Sequence, residues 1–297
     1  MSKRIIAHLA VFGANLIYGL NYVIAKNIMP DFLQPRVIIL LRVVGASIIF
    51  WVVSSFLRKE KIDKKDIPRL MLCALFGIAI NQIMFFEGLN LSTPINASII
   101  MVGTPILVLV LSHFLINDKI SPQKIVGIAL GASGAGYLIL HQGNISFNSS
   151  SFVGNLFILI NAASYATFLV IVKPLMKKYS ALTIMKWVFL FGTIFVIPFS
   201  ARLTMEANFA AIPFNIWLSI AYVIIFTTVL AYFLNNFSLK TVSPTVNSAY
   251  IYIQPFLASL VALSVHKDQL TWTKIVAAIL IFLGVYFASL KKAPIKV

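Results

Sequence analysis

The sequence predicts an all-α, polytopic membrane protein of ten transmembrane helices in two inverted-topology repeats of five, and three observations carry that expectation. Apolar residues make up 60% of the 297-residue chain, charged residues only 11%, and the mean hydropathy is +0.95. No water-soluble fold has enough interior to hide that much apolar surface. The apolar residues fall into runs of about twenty, the length a helix needs to cross the hydrocarbon core, with short breaks between them. Lastly, the ends of the two halves superpose at a constant offset: Leu89/Leu239, Pro94/Pro244, Ser98/Ser248, Pro105/Pro255, Asp118/Asp268, Lys124-Ile125-Val126 on Lys274-Ile275-Val276, and Gly134/Gly284.

Breaks rich in charge, proline, asparagine or glycine delimit spans near 5–26, 35–57, 68–90, 94–116, 122–141, 152–173, 182–202, 214–238, 244–265 and 271–290. The halves divide at 1–145 and 146–297. Five spans per half is an odd number, so the second half enters the membrane from the opposite side, as in many secondary transporters. Thr93 and Ser243 precede Pro94 and Pro244 as helix caps before first-turn prolines.

The net charge of +16 would suggest nucleic acid in a soluble chain, but its placement argues otherwise. With ten spans, one set of loops and span ends carries 18 of the 24 Lys and Arg residues, including the cluster from Arg58 to Arg69 and the group Lys173, Lys177, Lys178 and Lys186. The positive-inside rule makes that side, and both termini, cytoplasmic in a bacterial inner membrane. Lys3 and Arg4 before an apolar stretch imitate a signal peptide, yet Asn15, Asn21 and the length of the stretch favour a span. Asn144 and Asn148 match glycosylation acceptors by chance in an Asn/Ser-rich linker. The single cysteine, Cys73, excludes an internal disulfide, and no Cys/His cluster offers a metal site. No cofactor is implied.

Polar residues inside spans avoid lipid, so polar stripes mark helix faces turned to other helices or to a wet cavity. Asn15, Tyr18 and Tyr22 share one face of the first helix, and Asn247, Tyr250 and Gln254 repeat the spacing in the ninth. Asn161 and Tyr165 in the sixth helix and Thr228, Tyr232 and Asn235 in the eighth complete the expected solute-binding set. Amides and phenols can bond a solute's polar groups while rings cover its apolar parts. Each could instead serve only as interhelical glue.

Arg42 and Glu87 are charges within spans, where an unpaired charge is expensive. A pair between them would form an outer gate, and Glu87 could exchange protons; snorkelling of Arg42 and exposure of Glu87 are the alternatives. His113 is a candidate coupling residue or an interhelical contact. Pro105 and Pro255 are expected mid-helix, as hinges or static kinks. Gly127 and Gly131 form a small-residue face for close packing.

Several of these segments, in this order and repeated, resemble the EamA type of the drug/metabolite transporter superfamily. They are Ile17-Tyr18-Gly19 to Lys26, Arg42, Gly88-Leu89 through Asn96-Ala97-Ser98 to Thr104-Pro105, then Thr228 to Leu239 and Tyr250 to Pro255. Tyr18 departs from the tryptophan usual there. The resemblance implies a central cavity lined by helices one, three, four, six, eight and nine, and movement of small metabolites or drugs, usually outward. The expected function is therefore secondary transport of a small, amino-acid-like solute by a protein for which a monomer suffices, lipid being the only other partner. A translocator of lipid-linked carriers is the alternative. An intramembrane enzyme is disfavoured, because no HExxH, paired in-span aspartates or nucleophile–base set is present.

Overall fold

The computed structural model describes residues 2–57, 60–92, 97, 100–142, 149–254 and 271–290, without the side chains of 135, 138–142, 149–151 and 274. Thr93, Pro94, Asn96, Ser98, Asn144, Asn148, Pro255, His266 and Asp268 lie outside the described residues.

Among the described residues every regular element is helical. In chain order they are α1 (Lys3–Ile28), α2 (Pro35–Ser55), α3 (Lys64–Leu91), α4 (Thr104–Ile116) and α5 (Pro122–Gln142). The second half supplies α6 (Ser149–Lys178), α7 (Ala181–Glu206), α8 (Phe214–Ser238), α9 (Pro244–Ala249, continued by a 3-10 turn at Tyr250–Tyr252) and α10 (Trp272–Ser289). Six of them, α1, α2, α3, α6, α7 and α8, are long and apolar enough to cross a membrane.

Helix starts follow the sequence. Ser2, Ser180 and Ser243 cap α1, α7 and α9 by accepting the N–H of Ile5, Thr183 and Val246. Pro35, Pro105 and Pro244 occupy first turns, where a missing N–H costs nothing. Pro105 therefore corrects the mid-helix expectation: the chain turns at 102–103 and α4 begins only at Thr104, so this proline starts a helix and does not hinge one.

The exterior inverts the rule for soluble proteins. Phe114, Phe214, Phe199 and Leu218 point outward, while Asn15, Asn81, Gln82, Asn161, Asn235 and Asn236 are buried. An exterior of aromatic and aliphatic side chains around an interior that also holds these polar groups suits lipid as solvent.

The packing pairs are α1 on α8, α3 on α6, α2 on α7, α5 on α10 and α4 on both α6 and α9. Interchanging the halves maps the α3–α6 pair onto α8–α1 and leaves α2–α7, α5–α10 and α4–α9 as they are. The α5–α10 contact is backbone on backbone. A Cβ on Gly127 would lie 2.4 Å from the Ala288 nitrogen, and one on Gly284 would lie 2.5 Å from the Gly131 nitrogen. The small-residue face thus does the packing work expected of it.

Among the described residues two π-turns interrupt the third helix of each half, at Leu75–Ala79 in α3 and Val223–Leu230 in α8. They fall at corresponding places in the two halves. Wider turns release carbonyls from the α-helical ladder, and side chains take them up. Ser164 donates to the Phe76 carbonyl at 2.6 Å, Tyr232 to that of Gly77 at 3.2 Å, and Thr228 to that of Val223 at 2.7 Å.

Contacts divide the loops between two ends of the bundle. At one end Asp66 binds Lys178 at 3.0 Å and Tyr179 at 2.7 Å, Glu60 accepts the Ser180 N–H, and Arg4 reaches the Ser289 carbonyl. At the other, Lys26 meets the last carbonyls of α3 and Arg36 pairs with Glu87.

Candidate functional site

Midway along the central helices lies a cavity of about 80 Å³, walled by both halves. A water needs roughly 10–15 Å³ on this measure, so several fit. Tyr18, Asn21 and Tyr22 reach it from α1, and Arg42 from α2. Asn81, Gln82, Phe85 and Phe86 come from α3, Asn161 and Tyr165 from α6, Thr227 and Tyr232 from α8, and Ile251 and Gln254 from the α9 segment.

Among the described residues Arg42 is the one charged side chain on this wall, and it is only 4% exposed. Its Nε donates to Thr228 Oγ1 at 2.7 Å, and its guanidinium carbon lies 4.6 Å above the Phe86 ring. The π-turn sets this geometry: it holds the Thr228 hydroxyl on the Val223 carbonyl, leaving the oxygen's lone pairs toward Arg42. A buried guanidinium costs several kcal/mol unless paired, roughly by the desolvation of an ion. Here a hydroxyl and a ring face offset part of that.

Aromatic edges frame the rest. Tyr18 stands edge-on to Tyr232 with centroids 6.2 Å apart, and Tyr22 does the same to Phe85 at 5.5 Å. Asn161 donates to the Asn81 carbonyl at 2.8 Å, and the Tyr232 hydroxyl reaches Asn81 Oδ1 at 3.1 Å. Gln82 is 2% exposed and lies near Tyr232, yet neither of its amide atoms closes a hydrogen bond of normal geometry. The same holds for Asn21 Oδ1, Asn161 Oδ1 and Thr227 Oγ1.

The structure brings Tyr18, Tyr22, Asn161, Tyr165, Tyr232 and Gln254 to the cavity wall as the stripes suggested, and adds Arg42. Others on the same stripes are used up behind it. Asn15 bonds the Val11 carbonyl and accepts from Gln254 at 2.7 Å, which orients that glutamine. Asn235 donates to the Tyr165 hydroxyl at 2.9 Å, and Asn247 ties α9 to the Asn235 carbonyl and Ser238. Tyr250 meets His8 at 2.8 Å, away from the wall.

The gate and hinge geometry differs from the expectation at Glu87 and Pro105. Glu87 pairs with Arg36 at 2.6 Å and not with Arg42, which has turned inward to Thr228. His113 is exposed on α4 beside Phe114 and is not among the cavity-lining residues. Pro105 is a helix start, and Pro255 lies outside the described residues. Sequence reasoning missed Asn81, Gln82 and Asn21 as wall residues. The signal was present: Asn81-Gln82 is an amide pair in the middle of an apolar run, and Asn21 adjoins Tyr22.

An apolar helical shell around a small internal cavity lined by amide, tyrosine, arginine and apolar side chains defines a class, the multi-pass membrane proteins built about an internal space. Comparison with known proteins narrows it: the model of the EamA-like transporter family matches residues 5–140 and again 152–290, so this chain belongs to that family and carries its unit twice. The uncharacterized transporter YetK of Bacillus subtilis (strain 168) is 25% identical over 98% of this chain and 89% of its own length. A protein of Streptantibioticus cattleyicolor described as a probable terminal-alkyne amino-acid exporter is 22% identical over 74% of this chain and 72% of its own. A protein crystal structure superposes with a TM-score of 0.79 at 17% identity, covering 97% of this chain and 99% of that one. The protein is thus a membrane transporter of the drug/metabolite superfamily.

Proposed function

We propose that this transporter is a secondary carrier of a small organic solute, amino-acid-like in size and polarity, moved outward across a bacterial cytoplasmic membrane by alternating access. In this reading ten spans form two five-helix repeats, 1–145 and 146–297, that run in opposite directions through the bilayer. Both termini are cytoplasmic, and one chain suffices because it supplies both repeats. Among the described residues the basic stretch at 61–69, the α6–α7 junction and the ends of α1 and α10 near the termini meet at one end of the bundle, which supports that orientation.

One observation carries the proposal: a largely apolar and aromatic chamber with amide, hydroxyl and guanidinium groups set in its wall, contributed by α1, α2, α3, α6, α8 and α9 from both repeats. A packing-only role for these amides would satisfy their hydrogen bonds within the protein, and several remain open. Rocking of the repeats about the chamber would expose it to each side in turn. The amino-acid exporter among the relatives supports the solute class and the outward direction.

Reconstitution tests this. In proteoliposomes loaded with amino acids, wild-type protein should release one or more of them in a saturable way, and Tyr18→Ala and Gln254→Ala should cut that flux by about tenfold, the loss of one or two solute contacts. Flux indifferent to both substitutions in well-folded protein contradicts the assigned chamber.

A further inference from the structure

The geometry points to Arg42 as the anchor for a carboxylate on the transported solute, a deepening that rests on the carrier reading above. Four ion pairs occur among the described residues, Arg36–Glu87, Lys124–Asp118, Lys178–Asp66 and Arg202–Glu206, and none involves Arg42. The guanidinium spends Nε on Thr228 and lies over Phe86, while its terminal nitrogens hydrogen-bond to no described residue. A guanidinium presents its donors as a planar fork, and that fork matches a carboxylate in two parallel bonds.

The remaining wall says which anion fits. A single positive charge, with no second lysine or arginine among the described residues of the wall, balances a monoanion; a phosphate ester carries about −1.5 to −2 near neutral pH and calls for more. Gln82, 2% exposed beside Tyr232 with neither amide atom in a hydrogen bond of normal geometry, and the unpaired carbonyl oxygens of Asn21 and Asn161 can take an ammonium or amide donor on the same molecule. Tyr18 and Tyr22 supply ring surface for an apolar remainder. The solute class is therefore a small carboxylate with a hydrogen-bond donor elsewhere on it, and Arg42 is the residue that selects for its charge.

The test uses full-length protein in lipid nanodiscs for binding and in proteoliposomes for flux. The probes are L-leucine and L-phenylalanine, their carboxamides, and the matching aminophosphonates. Wild-type protein should bind and move the carboxylates, with the carboxamides and aminophosphonates weaker by about tenfold or more, the usual weight of a charge-assisted contact. Arg42→Gln should erase that preference by weakening carboxylates alone, and Arg42→Lys should retain part of it. If Arg42→Gln does not fold, Thr228→Val, which removes the Nε acceptor together with the hydroxyl's own bond to the Val223 carbonyl, should lower carboxylate affinity several-fold and spare the amides. Equal affinity for carboxamides or phosphonates, or an unchanged preference in Arg42→Gln, overturns the Arg42 assignment and leaves the carrier reading standing. Wild-type protein that neither binds nor moves any probe of the panel counts against the carrier reading itself.

Discussion

The two repeats share a frame and differ in charge. Each has a π-turn in its third helix, at Leu75–Ala79 and within Val223–Leu230. Each sends a tyrosine of its first helix, Tyr18 or Tyr165, into the same cavity. Each also closes one end of the bundle with a lysine: Lys26 donates to the carbonyls of Leu89 and Asn90, and Lys173 to those of Leu239 and Val242. Leu89 and Leu239 occupy matching positions at the ends of α3 and α8, where helical carbonyls lack N–H partners and attract a cation. Arg42 and Glu87, by contrast, have no charged counterpart in the second repeat, whose matching stretches carry Phe189 and Phe237. What both halves keep is mechanical, and what one half alone has is chemical.

That distinction can be broken by substitution. The larger effect belongs to the lysine closures. Lys26→Met and Lys173→Met each remove a cation from two carbonyls and should each cost about 1.5–3 kcal/mol, the range for hydrogen bonds to charged groups, read as a lowered thermal midpoint in nanodiscs. Comparable losses support mechanical equivalence of the two ends. A loss confined to one lysine shows that the frame is not shared at that point.

A smaller effect is expected at the charge found only in the first repeat's outer rim. Arg36 and Glu87 are 44% and 19% exposed, so their pair is worth about 0–1 kcal/mol. Glu87→Gln should leave flux within about twofold of wild type across pH 6–8, because one partly exposed pair contributes that little. Abolished or pH-inverted flux would restore Glu87 as a coupling group.

Most of the architecture is written in the hydropathy pattern, because lipid imposes a fixed helix length and forbids unpaired backbone. The site is written less fully. The polar stripes of α1, α6, α8 and α9 each place at least one residue on the cavity wall, yet a stripe runs the length of a helix and a cavity occupies only its middle. Asn15, Asn235, Asn247 and Tyr250 therefore share stripes with wall residues while bonding other helices. Arg42 is conspicuous in sequence as a charge within a span, but its partner is Thr228, whose place depends on a π-turn that composition does not announce. Pro105 was misleading for a related reason: the turn at 102–103 precedes it, and no strong breaker other than Gly103 marks that turn.

The central claim is that the chamber between the repeats opens to each side of the membrane in turn. Gln82→Cys in a Cys73→Ser background, where it is the sole thiol, tests it most directly with an impermeant thiol reagent added to one side of oriented vesicles at a time. Labelling from both sides, slowed by a transported carboxylate, is the result this account predicts. A thiol that neither side can reach, or that solute does not protect, contradicts it.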